Sequence, residues 1–107
     1  MSGAVPDGGV EDLPRRWRLL TRTDDRPGVL AALAGVFSTR GVNVDGVVAL
    51  RGSQQGAAGT MTWVFTATAR RAALLTRTVG RLDAVAEVRL DEVRGTTAQA
   101  LRGALEG

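Results

Sequence analysis

Two hydrophobic periods alternate along the chain. From Arg16 to Thr23 every second side chain shares a face: Trp17, Leu19, Thr21 and Thr23 on one side, Arg18, Leu20 and Arg22 on the other. That is the period of a strand. From Pro27 to Arg40 the spacing changes to three and four, with Leu30, Leu33, Ala34 and Phe37 as the apolar stripe of a helix. Pro27 suits the first helical position, where its missing N–H would have no partner anyway, and Gly41 suits the C-terminal cap. Val42 to Leu50 reads as a second strand, with Val42 and Val44 inward and Asn43 facing away. Arg51 to Gly59, rich in Gly, Ser and Gln, reads as a hairpin loop. In the third strand, Thr60 to Thr68, Met61, Trp63, Phe65 and Ala67 oppose Thr62, Val64, Thr66 and Thr68. Thr68 is expected to cap a second helix running to Leu82, with Leu74, Leu75, Thr78, Val79 and Leu82 as its buried side. Ala84 to Val93 supplies the last strand.

The order β-α-β-β-α-β belongs to the α+β class. With right-handed crossovers it forms a four-stranded antiparallel sheet with both helices on one face and the first and third strands in the centre. One domain, residues 15–94, is expected. Residues 1–14, with their glycines, prolines and acids, read as a disordered leader. Residues 95–107 read as a tail holding a loosely docked helical turn or short helix, since Leu101 and Leu105 lie four apart, or fraying altogether.

Composition narrows the chemistry. The 107 residues contain no Cys and no His, which removes disulfides, thiol chemistry, histidine acid–base catalysis and the commonest metal ligands. No cofactor is expected. All fourteen cations are Arg, against eleven acids, so the chain is only mildly basic. An Ala-, Arg-, Gly- and Val-rich composition without Lys is that of a GC-rich bacterial genome. No apolar run approaches the ~18 residues of a spanning helix, and no basic segment followed by an apolar core marks a signal peptide. The expected location is the cytoplasm, away from membranes.

The stretch Asp24-Asp25-Arg26-Pro27-Gly28-Val29-Leu30 carries the strongest chemical signal. It places a sharp turn at a helix N-terminus, where the first N–H groups lack intrahelical partners and the helix dipole is positive. The amides of Gly28, Val29 and Leu30 can receive a carboxylate, and Asp25 can accept from an ammonium group. Donors and an acceptor side by side match an α-amino acid. Taken alone, the plainer reading is that Asp24 or Asp25 caps the helix and Gly28 eases the turn. Asn43, whose amide both donates and accepts, is a second candidate contact; alone it reads as a solvated strand residue.

Taken together, the stretch DDRPGVLAALAGVFSTRGVNV and the element order around it resemble the ACT domain family over residues 16–93. The resemblance implies a ferredoxin-like fold, side-by-side pairing into a homodimer, and allosteric regulation by an amino acid bound between domains. Carried over position by position, it implies ligand contacts from Thr23, Asp25, Pro27, Gly28, Val29 and Leu30 of one copy and from Asn43 and Val44 of the other. Thr23 stands where some members carry a larger polar group. The implied function is a sensing, regulatory domain that acts on a metabolic enzyme or regulatory partner and is not itself an enzyme. The alternative is a dimerisation or partner-binding module without a ligand.

Two other readings share the topology. RNA-binding RRM domains stack bases on aromatics of the central strands, but Trp63 and Phe65 share their face with Met61 and Ala67, and the helices need that apolar face. The aromatics are assigned to the core and no nucleic-acid partner is expected. Acylphosphatases bind phosphate in the same first turn, where Asp24 and Asp25 would here repel it.

Overall fold

The computed structural model describes residues 13–52 and 58–106. Its elements follow the order β1 (Arg15–Thr23), α1 (Val29–Thr39), β2 (Val44–Leu50), β3 (Gly59–Ala67), α2 (Ala69–Gly80), β4 (Val85–Glu92) and α3 (Thr97–Glu106). The four strands form one antiparallel sheet in the order β2-β3-β1-β4, so the expected α+β fold with β1 and β3 at its centre is the one observed. Residues 1–12 of the expected leader and the middle of the hairpin loop lie outside the described residues.

Helices α1 and α2 cover one face. There Leu19, Trp63 and Phe65 of the central strands meet Val29, Leu33 and Phe37 of α1 and Ala72, Leu75 and Val79 of α2. Full burial of one Leu or Phe here contributes about 1.5–3 kcal/mol. Phe37 is the hub: its ring stacks on Trp63 at 4.9 Å and meets Phe65 edge-on at 5.2 Å. The aromatics of β3 are thus fully enclosed beneath the helices. Trp17 is half-buried at the margin, where its indole N–H donates to the Ala67 carbonyl at 2.9 Å.

Three details differ from the sequence expectation. The helix α1 begins at Val29, not Pro27, because Gly28 takes φ +88°, outside the helical region, as its N-cap. Its buried stripe is Val29, Leu33 and Phe37, while Leu30 and Ala34 are exposed. On α2, Ala72 takes the inward place expected of Leu74, which stays exposed. The expected caps do form. The Thr68 hydroxyl accepts from the Arg71 amide at 3.2 Å. Gly41, at φ +70°, closes α1 in a Schellman motif: its N–H reaches the Ser38 carbonyl at 3.0 Å and that of Val42 reaches Phe37 at 2.9 Å.

The opposite face is organised in three rows across the strands: Gly46, Val64, Arg18, Asp91; then Val48, Thr62, Leu20, Arg89; then Leu50, Thr60, Arg22, Glu87. The tail, expected as a short helix or helical turn or a frayed end, is the ten-residue helix α3, and it packs on this face. A capping box starts it: the Thr96 hydroxyl accepts from the Gln99 amide at 3.1 Å and the Gln99 side chain accepts from the Thr96 amide at 2.8 Å. Arg16 braces the approach by donating to the Gly95 carbonyl at 2.7 Å. Under α3, Val64 is wholly buried and Thr62 nearly so. The cover on this half of the face comes from the chain itself.

Candidate functional site

The turn between β1 and α1 is built from three local constraints. Thr23 ends β1 opposite Gly59, and the next amide, that of Asp24, donates to the Ala84 carbonyl at 2.8 Å, which ties the turn to the start of β4. Pro27 fixes its own φ. Gly28 then takes the left-handed conformation that lets the chain enter α1.

Neither acid caps the helix. The N-cap is Gly28, no side chain accepts from the first turn, and that turn holds no acidic residue. The first intrahelical bond runs from the Ala32 amide to the Gly28 carbonyl at 2.9 Å. The amides of Val29, Leu30 and Ala31 therefore precede any carbonyl they could reach within the helix, at its positive end. The space over the turn is open, with nothing within 4 Å of the place a Gly28 Cβ would occupy.

The acids are engaged elsewhere. Asp24 pairs with Arg26 at 3.3 Å, a surface contact exposed on both sides. Asp25 has a less exposed side chain, at 24%, and its Oδ1 accepts from Nε of Arg51 at 3.3 Å. Arg51 follows β2 directly and was not singled out in the sequence. The cue available was topological: the end of β2 returns to the end of the sheet where β1 stops.

The remaining expected contacts divide into two groups. Thr23 is 1% exposed and its hydroxyl has no hydrogen-bond partner among the described residues. An unpaired buried hydroxyl costs about 1–3 kcal/mol, so its place beside the turn is notable. The Val29 side chain belongs to the core, which leaves only its amide for a ligand, whereas Leu30 and Pro27 are exposed. Asn43 and Val44 are not near this group. Val44 pairs with Phe65 and Thr23 with Gly59, six positions apart along β3, which is about 20 Å at the rise of an antiparallel strand. Asn43 precedes β2, exposed, in a hollow shared with Pro14, Thr68 and Arg71. Beyond it β2 bulges at Asp45, whose Oδ2 accepts from the Thr66 hydroxyl at 2.8 Å.

Among the described residues no carboxylate cluster could hold a metal ion, and no helix is long and apolar enough to cross a membrane.

Comparisons with solved structures agree with this fold. A comparison with curated proteins gives no match. Among solved structures, a homoserine dehydrogenase from Thiobacillus denitrificans superposes with TM-score 0.61 at 22% identity, covering 77% of this chain and 18% of that one. The ACT domain of the GTP pyrophosphokinase of Chlorobium tepidum gives 0.61 at 13% identity, covering 78% and 90%. The ligand-free regulatory subunit of aspartate kinase from Thermus thermophilus gives 0.55 at 20% identity, covering 72% and 50%. The chain spans under a fifth of the dehydrogenase and half of the kinase subunit, and at these identities the likeness is one of fold. The sequence itself matches the ACT domain model over residues 17–84, from Trp17 within β1 to the residue before β4, and on that match the chain belongs to the ACT domain family.

Proposed function

We propose that this domain is a regulatory module that binds a small amino acid between two copies of itself and catalyses no reaction. The observation that carries the reading is the start of α1: amides that precede the first intrahelical bond at the positive end of a helix, no side-chain cap on Gly28, and open space at the Gly28 Cβ position. Asp25 beside them offers an acceptor for an ammonium group, and Thr23 an unpaired hydroxyl. The aspartate kinase neighbour is itself a regulatory subunit.

A second copy is what unites this turn with Asn43. β2 is an edge strand whose outer hydrogen-bonding groups face no neighbouring strand among the described residues, with Val47 and Leu50 both 41% exposed along it. Antiparallel pairing of two β2 strands about a two-fold axis sets the beginning of one against the end of the other. The Leu50–Arg51 end adjoins Asp25, so Asn43 of one copy comes to the turn of its mate. Ligand binding then acts by favouring one arrangement of the pair.

The Arg51–Asp25 ion pair supports a second reading, in which the fold and the pairing stay and the ligand is dropped, because Asp25 already has a cation. A thermal-shift screen of the twenty amino acids separates the two. Stabilisation by one or a few, lost in Asp25→Ala and in Asn43→Ala, supports sensing. No shift with any of them leaves the dimerisation module.

A further inference from the structure

Helix α3 covers only the β2–β3 half of the outer sheet face. Beside it remains a groove of about 410 Å³, floored by Leu20 and Leu50, with Gly103 and Ala104 of α3 on one side and Arg18 and Arg89 on the other. Its charge is unbalanced. The Arg18 Nη2 and the Arg89 Nε both converge on the same oxygen, Oδ2 of Asp91, at 3.5 and 3.3 Å. Each guanidinium carries five N–H donors, and one carboxylate neutralises only one of the two. The adjacent Arg22 and Glu87 pair with each other at 3.6 Å and, among the described residues, leave that surplus intact. A positive charge with unused donors thus stands at the side of an apolar floor.

The groove owes its room to a small residue. At Gly103 nothing lies within 4 Å of the position of a Cβ, although Gly is a poor residue for the middle of a helix.

We propose that this groove binds a small molecule with one anionic headgroup and a short aliphatic body. The headgroup takes the N–H donors of Arg18 and Arg89 that Asp91 leaves unused, on the groove side of the guanidiniums and away from that carboxylate, and the body lies on Leu20 and Leu50 beside Gly103. A free amino acid fits less well here, because its ammonium group adds to a cluster of Arg18, Arg89 and Asp91 that is already net positive. The site lies on the opposite sheet face from the α1-side core and does not depend on the interdomain site proposed above.

Octanoate is the probe, titrated into the full chain and followed by amide chemical shifts. Saturable shifts are expected at Leu20, Thr62, Gly103 and Ala104. Octanol, which lacks the charge, is expected to bind about tenfold more weakly or worse, the loss that follows from a missing charge-assisted hydrogen bond. Arg89→Gln reduces octanoate affinity by a similar factor. Gly103→Leu, which fills the slot while replacing glycine with a better helix former, abolishes binding with the circular dichroism spectrum retained. Equal affinities for octanoate and octanol overturn the proposal, as does octanoate binding that survives Gly103→Leu. Shifts gathered at Gly28 to Leu30 instead would assign the anion to the start of α1 and equally refute the groove.

Discussion

Gly46 lies directly beneath Leu101. A Cβ on Gly46 would stand 2.5 Å from Cδ1 of Leu101 and 3.2 Å from Cγ2 of Thr97. Helix α3 therefore rests on the sheet at the one place in its row without a side chain. Leu101 can turn away from a single methyl, but a branched side chain leaves no room for either contact. Gly46→Val is expected to detach α3 and to lower stability by about 1–3 kcal/mol, the usual cost of overpacking. Hydrogen exchange read together with urea unfolding checks it. The amides of 97–106 should lose protection while those of β1 and β3 keep theirs, and a still-protected α3 would show that its docking does not depend on this close approach.

Phe37 gives a larger effect by a different route. Its ring is 1% exposed and touches both Trp63 and Phe65. Phe37→Ala removes the stacking partner and leaves a cavity that the rigid sheet cannot collapse, at a cost of about 3–5 kcal/mol. Denaturant unfolding followed by tryptophan fluorescence measures it. Leu74→Ala, at a residue 42% exposed on α2, is the control and should cost under about 1 kcal/mol.

The contrast between Phe37 and Leu74 also shows what could be read from the sequence. The sheet was legible because β1 and β3 alternate strictly, and Trp63 and Phe65 could only face the helices. The stripe on α1 was not, since Leu30 and Ala34 obey the same spacing as Val29 and Leu33. The left-handed entry at Gly28 decides between the two stripes, and spacing alone does not report it. Helix α3 was legible only as a short helix or frayed tail, because apart from Leu101 its sheet-facing residues, Thr97, Ala100 and Ala104, are small, although the Thr96–Gln99 capping box stood in the sequence as a start signal. Within the candidate site the open turn was legible from Arg26-Pro27-Gly28. The Asp25–Arg51 pair was not, because it joins residues that only the register of β2 on β3 brings to the same end of the sheet.

Two glycines of α1 and its end should respond in opposite directions to the same substitution. Gly41 sits at φ +70° in the Schellman motif, so Gly41→Ala is expected to cost about 1–2 kcal/mol. Gly35 lies inside the helix with nothing within 4 Å of its Cβ position, so Gly35→Ala is expected to stabilise by about 0.5–1 kcal/mol. Thermal unfolding of the two variants side by side checks both signs. Destabilisation by Gly35→Ala would mean that this helix face is covered in the assembled protein.

The proposed sharing of the ligand between copies makes a sharper demand. Asp25 and the start of β2 lie about 20 Å apart in one chain by strand rise, so a site using Asp25 and Asn43 must draw them from two chains. In a two-fold pair each site then takes Asp25 from one copy and Asn43 from the other. Asp25→Ala and Asn43→Ala homodimers are both expected to lose the amino-acid-induced thermal shift. Mixed after reversible unfolding, the two variants form heterodimers with one doubly substituted site and one wild-type site, because the copy that keeps Asp25 faces the copy that keeps Asn43. The mixture should recover binding, at up to one site per heterodimer by calorimetry. If each site were built within a single chain, every site in the mixture would carry one of the substitutions and no binding would return.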